Sequence, residues 1–571
     1  MHGGTALRHV PADSHPQLPD EWRIRAASDT RRVHPSVRER LDRLAPDQRA
    51  AATAEPGPVL CVAPAGSGKT TTLVARICWL VDGGVDPAVI AAITFNRKAA
   101  DELTTRLVAA MAPLGTGHGL PAVRVRTFHA LGLEILREAG RPVGPLLDRD
   151  DVLRTAMPAA TAADRRRLDT VISRLKLDIG ATAEDVVVDP AAGPAARAFV
   201  AYERALEEAG GLDFDDLVVH SLRLLESRPE VLAVWRARCA HLLVDEAQDL
   251  DRSQLRMALL LAAPQNRIFL VGDDDQSIYG WRLADVRRLL GLAESSLPGL
   301  RRVDLVTNYR CPASVIGRAV RLVERNEERF AKRILARPDA PGPVILAPTS
   351  AEDVDRCGSV LDRWAAADVA ADATYAILTR TNRELLPAVV AALMRGQPFR
   401  AGDLVLPLES PLIDELLHAA AELPPDWPLL ARLARLRMSA RGEPRRIAEA
   451  LLSWAPGFGD LAALAAAVAT ARAILDRLRR DDAALTLATA HGTKGLEFDH
   501  VAVIGMDEHR FPSARSIAHA EDPRRALEEE RRLAYVAWTR ARRSLTLVYD
   551  PEAPSLFLRE AFEPWELEPA A

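Results

Sequence analysis

Residues 63–70 run Ala63-Pro64-Ala65-Gly66-Ser67-Gly68-Lys69-Thr70, directly after an apolar stretch and directly before the helical pattern TTLVARICWL. In that context glycines let backbone N–H groups curl round a β-phosphate at a helix N-terminus. Lys69 is then placed to bridge β- and γ-phosphates, and the Thr70 hydroxyl to ligate Mg²⁺. Ala63 stands where the usual pattern has glycine. Such a loop needs an acidic metal partner, and HLLVDEAQD at 241–249 supplies one. Open α/β sheets bind ligands at the carboxyl ends of their strands. There Asp245 would hold Mg²⁺, mostly through water, and Glu246 would polarise an attacking water. By itself an apolar run ending in Asp-Glu is an ordinary solvated strand end. Together the two motifs predict an ATP-hydrolysing site with ATP and Mg²⁺ as its cofactors.

Holding these motifs in place takes sheets and helices. Short apolar strands are predicted at 58–63, 88–95, 122–127, 241–245, 267–272, 303–307, 343–347, 374–379, 485–489, 500–504 and 544–549, with helical patterns between them. Strands that are apolar throughout and separated by helices indicate parallel sheets covered on both faces. Eleven are too many for one comfortable sheet, so two α/β domains are predicted. Residues 130–212 and 401–484 carry helical periodicity alone and read as one insertion in each domain. The first domain then comprises 44–129 and 213–302, and the second 303–400 and 485–552. A flexible N-terminal extension, 1–43, and a C-terminal tail, 553–571, complete the chain.

Composition narrows the class. Of 571 residues 48% are apolar and 27% charged, which fits a folded chain and excludes wholesale disorder. Neither a long apolar run nor an apolar signal core is present, so no membrane partner and a cytoplasmic location are expected. Cys61, Cys78, Cys239, Cys311 and Cys357 form no CxxC and read as buried apolar residues. A net charge of −5 advertises no global positive field. Residues 301–340, however, hold ten Arg/Lys against five Asp/Glu. On charge alone, a solvated helix face and a polyanion-facing patch both stay open. Of 74 basic residues only Lys69, Lys98, Lys176, Lys332 and Lys494 are lysines. In so arginine-rich a chain a lysine hints at a site that suits a compact ammonium and not a planar guanidinium.

The ordered runs TFNRKAADEL (94–103), TFHALG (127–132), LDFDDLV (212–218), LLVDEAQD (242–249), VGDDDQSIYGWRLAD (271–285), NYR (308–310), ATAHGTKGLEFD (488–499) and EEERRLAYVAWTRAR (528–542) resemble the motif set of the UvrD/Rep/PcrA family. These are superfamily 1 DNA helicases, and the resemblance runs from about Leu44 to Val548. It implies an α/β fold of two RecA-like P-loop motor domains with parallel sheets, each carrying a helical insertion. It also implies residue roles. Gln48 would read adenine and Tyr309 would stack on it, while Glu497 would meet the ribose and phosphate region. The loop from Ala63 to Thr71 would cradle the phosphates, although Thr71 stands where relatives often have arginine, which weakens the expected nucleotide affinity. Lys69, Asp245, Glu246, the γ-phosphate sensor Gln276 and the arginines Arg310 and Arg540 would form the catalytic set. Thr94, Phe95, Thr127, Phe128, His129, Tyr279, Trp281, Arg282 and His491 would contact the DNA strand by stacking and phosphate contacts. Gly280 replaces an arginine common in the family.

The implied activity is ATP-dependent 3′→5′ helicase action on single-stranded and tailed duplex DNA, by a monomer or with an activating partner. One rival is a single-strand translocase that displaces bound proteins and barely unwinds. Another is an inactive scaffold, against which the intact catalytic set argues. The insertion 401–484 is short beside the large subdomain implied at that place, so weak unaided opening of long duplexes is expected.

Overall fold

A computed structural model of the chain describes residues 33–115, 123–183, 193–367, 372–402 and 406–568. The first sheet contains β1 (Val59–Val62), β2 (Ile90–Thr94), β3 (Arg124–Thr127), β4 (His241–Val244), β5 (Ile268–Gly272) and β6 (Arg301–Asp304) in the order β3-β2-β4-β5-β1-β6. Its neighbouring strands are all parallel. Every residue of β1, β2, β4 and β5 is buried, as strands covered on both faces must be. Alternation sorts their side chains: Leu60, Val62, Ala91 and Ile93 pack with the helix Phe128–Glu138, and Val59, Cys61, Ile90 and Ala92 with the helix Lys69–Asp82. Burying each large side chain this way contributes about 1.5–3 kcal/mol.

The second domain repeats the scheme. After a two-stranded ribbon of β7 (Thr307–Asn308) and β8 (Leu335–Ala336), the strands β9 (Val344–Pro348), β10 (Tyr375–Thr379), β11 (Phe399–Arg400), β12 (Leu485–Thr489), β13 (Phe498–Ile504) and β14 (Ala541–Tyr549) form a parallel sheet in the order β11-β12-β10-β13-β14-β9. The two insertions are built differently. The first holds a small core of its own, in which Leu153, Ile172, Phe199 and Tyr202 are central. The second shares one core with the sheet, because Leu433, Leu451, Leu464 and Val468 pack continuously with Leu485, Leu487 and the buried helix Leu385–Met394.

Four boundaries differ from those read in the sequence. The strand predicted at 303–307 is β6, and it pairs with β1 of the first sheet instead of opening the second domain. An apolar run does not encode which sheet receives it. Within the N-terminal extension, residues 1–32 lie outside the described residues, but Pro35–Asp42 is a helix that buries Val37 and Leu41 on the first domain. The C-terminal tail contributes Phe557, Leu558 and Phe562 to the second domain's core. Finally β7, β8 and β11, each two residues long, are too short to leave a periodic signal. Among the described residues no single helix is long and apolar enough to cross a membrane.

Candidate functional site

Between the carboxyl ends of β1 and β4 and the facing second domain lies a cavity of about 910 Å³. Its floor is the loop from Ala65 to Lys69. Gly66 (φ 66°) and Gly68 (φ 85°) adopt left-handed backbone there. A Cβ on Gly66 would lie 2.7 Å from Arg310 Cβ, and one on Gly68 would lie 2.6 Å from Gln48 Nε2, so neither position admits a side chain. Gln48 Nε2 donates to Ser67 O (2.8 Å) while its Oε1 accepts from Ala45 N–H (3.1 Å), so this amide braces the phosphate loop. Ser67 Oγ is buried with no hydrogen-bond partner among the described residues. Thr70 and Thr71 line the same cavity.

The acidic strand end stands across from the loop. Glu246 has φ 52°, a strained left-handed conformation for a residue with a side chain. Its N–H is held by Asp245 Oδ1 (3.0 Å), and its carboxylate lies 3.5 Å from Lys69 Nζ. Burial, then the adjacent Glu246 carboxylate, pushes Asp245 up to about 7. Against the same burial, Lys69 and then Lys494 hold Glu246 below the usual carboxylate range. Gln248 bridges onward: its Nε2 donates to Glu246 Oε2 (2.5 Å) and its Oε1 accepts from Asp273 N–H (2.9 Å).

The second domain closes the cavity. Tyr309 N–H donates to Gly66 O (2.9 Å), which sets the Asn308–Arg310 segment against the phosphate loop. Arg310 Nε donates to Glu497 Oε2 (2.8 Å). Arg540 is 1% exposed and donates only to neutral acceptors: Val536 O (2.8 Å), Leu496 O (3.0 Å), Thr539 Oγ1 (3.3 Å) and Gln276 Oε1 (3.2 Å). Burial, then the charge of Arg310, lowers its guanidinium to about 9. A buried cation with no carboxylate at ion-pair distance among the described residues can take an anionic partner. Lys69, Glu246, Gln276, Arg310 and Arg540 of the set read in the sequence line this one cavity, with Tyr309 and Glu497 on its rim, while Asp245 does not line it and lies behind Glu246, whose N–H it accepts.

Beside this cleft runs an aromatic track. Phe95 and Tyr279 stack at 5.1 Å, Tyr279 meets Trp281 edge-on at 6.1 Å, and the Arg282 guanidinium sits 4.7 Å over Trp281. Trp281 is 56% exposed and stands between two cavities. One, of about 850 Å³, includes Phe95, Thr127 and His129; the other, of about 520 Å³, includes Arg380, Thr489 and His491. Burial lowers both His129 and His491 to about 4, so each is a neutral ring at physiological pH.

Three proposed strand contacts need correction or qualification. Phe128 is 4% exposed and packs with Leu131 and Ile135 in the first core, because the first helical residue after β3 turns inward. Thr94 is buried, and its hydroxyl donates to Asn96 O (3.1 Å). Thr127 Oγ1 accepts from Ala130 N–H (3.2 Å) as the cap of the helix Phe128–Glu138, although it still borders the cavity.

Sequence reasoning assigned no role to two residues. Phe214, 57% exposed, stacks on His129 at 4.1 Å. Its signal was available, since a phenylalanine between aspartates in LDFDDLV is poorly placed for a core. Lys494 joins the two sites: Nζ donates to Asp249 Oδ2 (2.5 Å) and Gln276 O (2.6 Å), and lies 4.9 Å from the Tyr279 ring centroid. The basic run 301–340 resolves largely into internal ion pairs, Arg302–Asp304, Arg318–Glu566, Arg321–Glu563 and Arg329–Asp275 among them.

Comparison with known proteins agrees with this geometry. Residues 44–296 match the UvrD/REP helicase N-terminal domain, and residues 446–552 match the UvrD-like helicase C-terminal domain. The chain is 29% identical to DNA helicase II of Escherichia coli (strain K12), over 91% of this chain and 86% of that protein. It is 28% identical to the ATP-dependent DNA helicase PcrA of Leuconostoc citreum, over 86% and 80% respectively. A PcrA of Staphylococcus aureus (strain Mu50) is 33% identical over 51% of this chain and 41% of its own. With two parallel-sheet domains facing each other across a phosphate loop, and both family domains in order along it, the chain belongs to the UvrD/REP family of ATP-dependent DNA helicases.

Proposed function

We propose that this chain moves 3′→5′ on single-stranded DNA, driven by hydrolysis of Mg-ATP between its two sheets, and opens tailed duplexes. The observation that carries the coupling is Lys494, whose single ammonium touches Asp249 beside the catalytic carboxylates, the backbone of Gln276 and the face of Tyr279. A base that displaces or restacks Tyr279 therefore bears directly on the hydrolytic residues.

The placement supports a role for each residue. Lys69 and the loop N–H groups bind phosphate, and Ser67 Oγ supplies a further unpartnered polar atom. Asp245 and Thr70 offer hard oxygens that suit Mg²⁺, which when bound offsets phosphate charge. The Asp245 carboxylate, which burial pushes up to about 7 and whose Oδ1 accepts from Glu246 N–H, fits a cation partner. Glu246 orients and polarises the attacking water, and Gln276 faces the γ-phosphate end. Arg310 and Arg540 neutralise developing charge, a contribution of roughly a thousandfold or more. Gln48 and Tyr309 take the adenine, which requires the Gln48 amide to leave its present partners. Phe95, Tyr279, Trp281, Phe214 and His129 form a stacking path for bases, with Arg282 and His491 along it.

A second reading is favoured by the short second insertion. Its core is fused to the sheet. Translocation and protein displacement then survive while long duplexes open poorly without a partner. Single-turnover unwinding on 3′-tailed and 5′-tailed duplexes of increasing length tests both readings. Short 3′-tailed duplexes should open and long ones stall. Preference for 5′ tails would overturn the polarity, and efficient opening of long duplexes by the chain alone would overturn the second reading.

A further inference from the structure

Lys332 lies outside every motif with a nucleotide or strand role, yet its side chain is 1% exposed and sits at the interface of the two motor domains. Its ammonium contacts three consecutive buried carboxylates: Asp273 Oδ1 (3.1 Å), Asp275 Oδ2 (2.8 Å) and Asp274 at closer range. Arg329 adds two bonds to Asp275, at 3.0 and 2.9 Å, and Phe330 N–H donates to Asp274 Oδ2 (2.8 Å). Three donors on one compact head suit this cluster, where a planar guanidinium does not.

The aspartates begin the turn that carries Gln276. Asp273 Oδ2 accepts from Gln276 Nε2 (2.7 Å), while Gln276 Oε1 accepts from Arg540 Nη2 (3.2 Å). A carboxylate accepts and does not donate, so Asp273 admits only the NH₂ end of the Gln276 amide. The carbonyl end must then face Arg540. The segment bearing Lys332 is tied in turn to the helix Pro523–Trp538, which ends just before Arg540. Asn326 Nδ2 donates to Glu528 O (3.0 Å), Glu327 N–H to Glu528 Oε1 (2.9 Å), and Arg532 Nη2 to Glu328 O (2.7 Å).

We propose that Lys332 is a positioning residue for ATP hydrolysis: by gripping Asp273 it fixes the orientation of the Gln276 amide and registers Arg540 against it across the domain interface. This rests on the roles proposed above for Gln276 and Arg540. It assigns the chain Lys332–Asp273–Gln276–Arg540 as the device that sets the cleft's γ-phosphate end each time the domains meet.

The test is strand-stimulated ATPase of the full chain as Lys332→Met, Asp273→Asn, the double variant and Gln276→Ala. Lys332→Met should lower kcat about ten- to a hundredfold, the range for outer partners of reactive groups, with KM for ATP within about twofold. The double variant should be no slower than the slower single, because both changes break one chain. Losses that multiply, a normal kcat in Lys332→Met, or a change confined to KM would overturn the inference. Gln276→Ala separates the two levels. If it turns over normally, the reading of Gln276 falls and the inference with it. If it is slow while Lys332→Met is normal, the inference alone falls. Should Lys332→Met fail to fold, Asp273→Asn with Gln276→Ala carries the same test: a double variant no slower than Gln276→Ala supports the chain, and multiplied losses overturn it.

Discussion

Two lysine side chains are almost wholly buried in this molecule, each among three carboxylates, and they do different work because of where those carboxylates come from. Lys176 belongs to the first insertion and contacts Glu203 Oε1 (2.8 Å), Asp213 Oδ2 (3.0 Å) and Asp216 Oδ1 (2.7 Å). Every partner belongs to the same half of the molecule, and Asp213 and Asp216 also cap the helix Phe214–Ser227. Lys332 reaches from the second domain to a turn of the first. A buried ion cluster is weak evidence of net stabilisation, since desolvation offsets most of the attraction. Position is what distinguishes these two. A cluster within one body locks that body, whereas a cluster between two bodies is made or lost as they move.

The comparison can be bounded from above by the chemical step. Glu246→Gln keeps Lys69, Thr70 and Asp245, so nucleotide binding should persist while turnover falls roughly 10²- to 10⁴-fold. Steady-state ATPase beside a nucleotide-binding titration measures this, and near-normal turnover would remove Glu246 from the mechanism. Next in size, Lys176→Met leaves three buried carboxylates without their ammonium and should lose about 3–5 kcal/mol of stability in denaturant unfolding. The kcat of the folded fraction should stay unchanged. A slow but fully stable variant would erase the distinction between the two lysines. Smaller again, Trp281→Ala should weaken single-strand binding by about 1–3 kcal/mol with nucleotide affinity intact, read by titration with labelled strand.

The smallest effect is in pH. Against burial, Lys176 and Arg149 hold Asp213 below the usual carboxylate range. Its folded value lies below its unfolded one, so it stabilises the fold at neutral pH and that contribution is lost as pH falls through the folded value. In the other cluster burial, with Asp275 and Asp273, pushes Asp274 up to about 6 despite Lys332. Here the fold binds the proton more tightly, so the contribution of Asp274 declines as pH rises from its ordinary value towards about 6. Asp213→Asn should therefore lower the melting temperature at neutral pH and lose that effect in acid. Asp274→Asn should raise it slightly at neutral pH. The same sign for both variants would show that the clusters do not differ electrostatically.

The phosphate loop and the Asp245-Glu246 strand end were legible because each is a contiguous run whose residue types state their own chemistry. Both parallel sheets were legible from strands apolar throughout. The destination of β6 was not, since Arg301–Asp304 pairs with β1 through contacts more than two hundred residues apart in the chain. Phe128 was misread because a motif fixes which residues sit together and not which way each one faces. Lys332 was invisible as a functional residue for a related reason: its partner Asp273 is 59 residues away, and only the fold brings them together. Its rarity as a lysine was the one local trace.

The most direct measurement is ATP turnover by the purified chain with and without single-stranded DNA, repeated over a salt series. If the strand track is coupled to the nucleotide cleft, the strand should raise kcat, and strand affinity should fall with salt at a log–log slope of about −0.7 per phosphate contact. Turnover indifferent to single-stranded DNA, or raised equally by RNA, would contradict a DNA motor.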